Sequence, residues 1–333
     1  MKHSLIPLFL IILVSCQKPV NHVSMPLMGT SVNLTMVCDT DRAGPAAGAA
    51  FGEIERIEKL MSPVRPESDV YRLNHEGAAG PVAVTEETYD LVKRAVYISG
   101  ETGGYFDITF AALEGLWNFK DKNFIPPSPG AVASLLPLVG SGNIIFAGTG
   151  RGLSFARPGM KVGMGAIAKG YAVMKGVEAL KAKGLKAGIV DAGGDLQVFG
   201  KKFFSPWVTG LRHPRKESIL MTIELEDMDA VATSGDYERF VVRNGVRYHH
   251  IIDPRTGYPA KTFASVSVIS KSAVLSDAFA TAIFVMGLEK AREFLKRHGE
   301  IDVILIDEDL KLYVSRRLSD RITLLEKKKL EWL

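Results

Sequence analysis

Asp277 and Thr281 stand four residues apart in the apolar stretch VLSDAFATAIF, so on a helix they share one face. A carboxylate and a hydroxyl are hard oxygen donors, of the kind that hold Mg²⁺ while leaving it waters and room for phosphate. The same pair has a structural use: Asp in a first turn complements the helix dipole, and a mid-helix Thr bonds back to a carbonyl one turn earlier. A second candidate is VGMGAIAKGYAV, where Gly163, Gly165 and Ala168 fit G-x-G-x-x-A at an expected strand-to-helix junction. Exposed N–H groups at a helix start favour phosphate, and glycine lets it approach closely. Three small residues ahead of a helix also make an ordinary packing contact. No acidic residue ends a second parallel strand about 20 residues later, as a dinucleotide fingerprint requires.

A third candidate is YHHIIDPRTGYPA, residues 248–260. In a strand, Tyr248, His250 and Ile252 would share one face, and His249, Ile251 and Asp253 the other. Polar groups on both faces suit a strand end that opens onto a site. Asp253 to Gly257 is turn chemistry: Pro fixes φ, Asp caps the turn and Gly accepts φ > 0. DAGGDLQVFG and ATSGDYERF place Asp191, Asp195, Thr233, Ser234 and Asp236 around tight turns. TGGYFDITF sets Asp107 between Phe106 and Ile108, either to hold a flat heterocycle or as a core Phe beside a capped turn.

The elements that must position these groups follow from periodicity. Helical spacing of Phe51, Ile54, Ile57, Leu60 and Met61 predicts an amphipathic helix, and a second runs from about Thr85 to Gly103. A third follows Ala166, with Ile167, Val173, Val177 and Leu180 on its apolar side, and a fourth carries Asp277 with a break near Gly287. GSGNIIFAGTGRGLSFARPG reads as a hairpin, and strands then succeed one another through short turns, ending in a hairpin over DVILIDEDLKLYVS. That pattern favours an α+β fold, an antiparallel sheet flanked by helices, over repeating βαβ units.

The start, MKHSLIPLFLIILVSC, has a charged end, an apolar run from Leu5 to Val14 and a Leu-Val-Ser-Cys sequence. The run is too short to span a bilayer and has the layout of a secretory signal. We expect residues 1–15 to be a signal peptide, Cys16 to be lipidated, residues 16–24 to be a tether and residues 25–333 to be one catalytic domain. That places the protein outside a bacterial cytoplasm, facing the periplasm, most simply on the inner membrane. After Cys16 only Cys38 remains, so no internal disulfide can form. The net charge of +4 is too small and too dispersed for nucleic acid, and the basic run in EKKKLEWL reads as a solvated helix end.

In order and wording, MGT, FDITF…LWNF, GAIAKGYAV, DAGGDLQVFG, TSGDYER, HHIIDPRTGYP and SDAFATA resemble the ApbE family of Mg²⁺-dependent FAD:protein FMN transferases, many of them bacterial lipoproteins. The resemblance runs from about Met28 to Ile306. It implies cleavage of FAD at its pyrophosphate and transfer of FMN to a Ser or Thr hydroxyl, with release of AMP. The acceptor would be a partner flavoprotein, such as a flavin-carrying subunit of a membrane redox complex. It also implies Mg²⁺ ligation by Asp277, Thr281 and the Ala166 carbonyl, and FAD contacts at Met28, near Val64, at Tyr105, Phe106 and Asp107, and at Gly163, Lys169 and Ile252. His250 would lie near the phosphates, with Asp277 also placed to accept a proton. Members often have Asp at the positions of Gly163 and Met174, and some at that of Ala280, so adenosine binding and metal affinity are where this chain departs. The same site with water as acceptor would be an FAD pyrophosphatase. Two further readings are a non-catalytic FAD-binding lipoprotein, against which the Asp277–Thr281 pair speaks, and a Rossmann-type oxidoreductase, against which the antiparallel strand run speaks.

Overall fold

The computed structural model describes residues 18–333 apart from 120, 122, 123 and 149, so the expected signal peptide and Cys16 lie outside the described residues. The chain enters through a hairpin, β1 (Val20–Leu27) and β2 (Thr30–Val37), followed by α1 (Thr40–Met61) and α2 (Asp69–Glu76). Next come β3 (Val82–Ala83), α3 (Glu86–Glu101), a 3-10 segment (Ile108–Leu116), α4 (Pro129–Leu135), β4 (Ile144–Phe146) and β5 (Gly152–Phe155). The chain continues through α5 (Ala168–Ala182), β6 (Gly188–Ala192), β7 (Asp195–Phe199), β8 (Trp207–Arg212) and β9 (Ile219–Leu225). β10 (Ala230–Gly235), β11 (Phe240–Arg243), β12 (Val246–His249), β13 (Phe263–Ser270) and α6 (Ala273–Arg297) follow. It closes with β14 (Asp302–Asp307), β15 (Leu312–Val314), β16 (Ile322–Leu324) and β17 (Leu330–Trp332).

Nine strands form the central sheet in the order β1-β2-β6-β7-β10-β13-β14-β15-β17. Its pairs are antiparallel except β15 with β17. Its central strands are apolar on both faces, and β14 shows why. Val303 and Leu305 join the core that includes Ile54, Val177, Phe279 and Phe284 of α1, α5 and α6. Ile304 and Ile306, one residue out of phase, join Trp207, Met221 and Ile223 of a smaller sheet, ordered β16-β9-β8. A period of two thus serves two cores, giving helices, large sheet and small sheet as three layers.

Three expectations change. Val20 to Ser24, expected to belong to the tether, lie in a strand that pairs along its whole length with β2, although most of its side chains remain partly or fully exposed. The terminal EKKKLEWL is no helix, because Leu330 and Trp332 pack on the small-sheet core and β17 adds to β15. The Gly163 segment does not follow a sheet strand; Val162 N–H bonds to Asn74 Oδ1 and Gly163 N–H to Ile108 O, which holds it as an irregular approach to α5. That removes the basis for a Rossmann site. The break in α6 is at Gly287, with φ 71°.

Candidate active site

The first contact that builds the site is between two helices. Ser272 caps α6 by accepting the Leu275 N–H at 3.4 Å, and Asp277 follows just inside it. α5 crosses so closely that a Cβ on Gly170 would stand 2.2 Å from Ala273 O and 2.9 Å from Asp277 Cβ. Only glycine permits this approach. It lets Gly170 N–H donate to Asp277 Oδ2 at 2.9 Å, which fixes the carboxylate and leaves Oδ1 outside that bond. Lys169 Nζ lies 4.0 Å from that Oδ1 and is ion-paired with Asp195. Burial raises the Asp277 carboxyl above its usual range; Lys169 and the Gly170 N–H oppose the shift.

These groups open into a cleft of about 1310 Å³. Its walls are the β1–β2 turn, the Tyr105–Glu114 stretch, the start of α5, the β6–β7 turn, the end of β10 and residues 250–254. Met28, Tyr105, Phe106, Asp107, Ala166, Lys169, His250, Ile252, Asp277 and Thr281 all line it, ten residues drawn from distant parts of the sequence. Thr281, one turn beyond Asp277, has its Oγ1 3.3 Å from Ser234 Oγ. Two expected contacts do not belong. Val64 is 78% exposed, in the bend after α1, and is not in the cleft wall. Gly163 is buried behind the wall, its Cβ position facing Ala111, Glu114 and Phe110.

The paired histidines divide their work. His249 is 4% exposed; its Nε2 donates to Ala260 O at 2.8 Å and its Nδ1 accepts the Ile251 N–H, a structural role. His250 faces the cleft. Burial, Arg239 and His249 lower its pKa to about 4, so it is neutral at pH 7. The turn beyond them is as expected: Asp253 Oδ1 accepts the Arg255 N–H at 2.9 Å, and Gly257 takes φ 77°. Arg255 lies over the Tyr105 ring at 3.6 Å, so this turn shapes the rim.

The other carboxylates sort by partner. Asp191 Oδ1 accepts the Gly194 N–H at 2.8 Å, the turn role expected of it. Asp107 caps the 3-10 segment, binding Thr109 N–H at 2.8 Å and Ser141 N–H at 2.7 Å while Phe106 is 2% exposed, so the capped-turn reading holds there. Asp236 is taken up by Arg215 through two bonds of 2.6 and 2.7 Å. The Asp195–Lys169 pair was hidden by the same turn chemistry in the sequence; only the crossing of α5 over β7 brings it together.

The donor set fits Mg²⁺. Among the described residues no group of three or more His, Cys, Asp and Glu could hold a metal, so a cation at Asp277 would rest on one carboxylate with hydroxyl and carbonyl oxygens. Such a sparse, all-oxygen set suits an ion that keeps waters and binds substrate phosphates. It is a poor match for zinc.

Comparison with known proteins identifies the family and the fold. The ApbE family model matches residues 28–305. A Treponema pallidum FAD:protein FMN transferase is 33% identical over 293 residues, covering 83% of this chain and 81% of that protein. One from Vibrio cholerae is 31% identical over 322 residues, covering 92% and 94%. The crystal structure of an ApbE protein from Thermotoga maritima superposes with a TM-score of 0.84 at 33% identity, covering 90% of this chain and 98% of that one. The flavin transferase ApbE from Vibrio cholerae gives 0.81 at 29% identity, covering 91% and 100%. The α+β architecture is therefore that of the solved ApbE structures, and the chain belongs to the ApbE family.

Proposed function

We propose that this chain is a Mg²⁺-dependent FAD:protein FMN transferase, which moves FMN from FAD onto a Ser or Thr hydroxyl of a partner flavoprotein and releases AMP. One arrangement supports this above others. Asp277 and Thr281 open from α6 into a cleft that Lys169, His250 and the Tyr105–Asp107 segment also line. Relatives bearing the transferase name cover nearly the whole chain.

Asp277, Thr281 and the Ala166 carbonyl would hold Mg²⁺, which when bound offsets the charge of a diphosphate and orients it for displacement. Lys169, steadied by Asp195, adds fixed positive charge beside the same carboxylate. Neutral His250 lines the same cleft without adding charge, its ring hydrogen-bonded to the Arg239 backbone. As the acceptor oxygen bonds to the FMN phosphorus, its proton passes to Asp277, directly or through a water. The phosphorus–oxygen bond to AMP breaks and its electron pair leaves with AMP. Met28, Phe106 and Ile252 keep that wall of the cleft apolar.

Export and lipidation at Cys16 would place this chemistry on the periplasmic side of the inner membrane, beside a flavin-carrying subunit of a membrane redox complex. The LVSC sequence supports that placement. Labelling with a fatty-acid probe, lost in Cys16→Ala, tests it.

The activity is tested by incubating the protein with FAD, Mg²⁺ and a candidate acceptor flavoprotein, with an EDTA control. AMP together with covalent flavin on the acceptor is the expected result. AMP with free FMN and unlabelled acceptor would make the chain a pyrophosphatase. Tight FAD binding without turnover would leave only a carrier.

A further inference from the structure

The free edge of β8 is a part of the cleft wall to which the proposed transfer gives no task. β8 ends the small sheet on one side, with β9 as its partner. Backbone pairing fixes which of its groups point outward. Glu224 N–H bonds to Arg321 O and Leu325 N–H to Leu220 O, so residues 220, 222 and 224 spend their backbone groups on the β16 side. Residues 221, 223 and 225 are left for β8, where they pair with Leu211, Thr209 and Trp207. The N–H and C=O of Val208 and Gly210 therefore turn away from β9, and among the described residues no strand pairs with them. β8 has neither Lys nor Pro to blunt this edge. Val208 is 56% exposed, and Ile219, 41% exposed, lies over Gly210 on the same face. Thr209 and Leu211 point to the other face, and with Gly210 they line the cleft that Asp277 also lines.

We propose that the Ser or Thr segment of the acceptor protein docks as an added strand along residues 208–210 of β8. The proposal rests on the transferase reading, which requires a stretch of another protein to reach the same cleft as FAD. At about 1310 Å³ the cleft exceeds the roughly 300–1,000 Å³ of an ordinary small-molecule pocket, which leaves room for a peptide beside the dinucleotide. An extended peptide satisfies the outward N–H and C=O groups through its own backbone. Its side chains alternate in direction. A hydroxyl on one side follows Thr209 into the cleft, and its neighbours on the other side meet Val208 and Ile219. The expected acceptor is therefore an extended run in which apolar residues flank the Ser or Thr.

The test uses the full-length chain, the acceptor flavoprotein that it labels, and the same acceptor with Ala at the modified Ser or Thr, which cannot react. Amide hydrogen exchange, read residue by residue, is expected to slow at Val208 and Gly210 by roughly tenfold or more when the Ala acceptor is added. The Thr209 amide, already bonded to β9, should change little. Val208→Pro removes an outward N–H and sets its ring on the edge without breaking a β8–β9 bond. It should raise the acceptor KM by roughly tenfold or more, with FAD binding and the rate at saturating acceptor near wild type. Val208→Ala keeps the N–H and should move that KM by less than about threefold. Unchanged exchange at both amides with an acceptor that is labelled normally, or an unchanged KM in folded Val208→Pro, overturns the proposal. Protection that appears without acceptor and grows with protein concentration gives the edge to a second copy of this chain and overturns it too. AMP with free FMN and no labelled acceptor would instead overturn the transferase reading on which it rests.

Discussion

Two buried carboxylates divide this molecule. Asp69, at the start of α2, is 2% exposed, and Asp277 in α6 is 5% exposed. Asp69 accepts from Thr85 N–H at 2.8 Å, Thr85 Oγ1 and Thr88 Oγ1 at 2.7 Å, and Arg72 at 2.5 Å. Burial alone would raise its pKa, but these bonds overcome that and hold it below the usual carboxylate range. Asp277 has one N–H bond and an ammonium 4.0 Å away, and its pKa is raised. One carboxylate is saturated and ties α2 to the start of α3. The other keeps acceptor capacity and faces a cleft. Unspent hydrogen-bonding capacity at a buried group, more than burial itself, marks the site.

Exchanging the roles should have opposite consequences. Asp277→Ala is expected to cut AMP release by about 10³-fold or more without lowering the thermal midpoint. Asp69→Ala strands several buried donors and should cost about 3–5 kcal/mol of stability, while turnover per folded molecule stays near wild type. Urea unfolding monitored alongside AMP release checks both. Gly170→Ala falls between them. Its Cβ meets the α6 backbone, so α5 must shift, costing about 1–3 kcal/mol and raising the Mg²⁺ concentration needed for half-maximal rate.

The pH dependence sharpens the same contrast. A raised carboxyl pKa means the folded state holds its proton longer, so stability falls as pH rises through the folded-state value. Asp277→Asn should therefore melt above wild type by a margin that widens with pH, as scanning calorimetry from pH 5 to 8 would register. The smallest effect belongs to His250. Its lowered pKa contributes stability that is present above the ordinary value of 6.5 and lost as pH falls toward about 4. His250→Gln should make the decline of the midpoint across that window shallower.

Much of this was legible in the sequence where a local rule and a tertiary need coincide. The i, i+4 spacing put Asp277 and Thr281 on one face, and the turn after His250 followed from Asp253 and Gly257. Elements whose tertiary role runs against local composition were missed. β1 is an edge strand with few buried side chains, so VNHVS carries little alternation. β17 is hidden behind three lysines, although Leu330 and Trp332 reach a core. α1 begins at Thr40, about three turns before Phe51 opens the apolar stripe read from the sequence, through Gly44 and Pro45 that read as breakers. Asp195 read only as a turn residue, and it acquires its meaning from Lys169, which the fold brings to it.

The most direct test compares AMP release from FAD by wild type and Asp277→Asn, each with Mg²⁺ and with EDTA, after confirming that the variant is folded. The account expects rapid release by wild type with Mg²⁺ and near-background release in the other three conditions. Comparable release by folded Asp277→Asn, or release by wild type that EDTA leaves untouched, would contradict it.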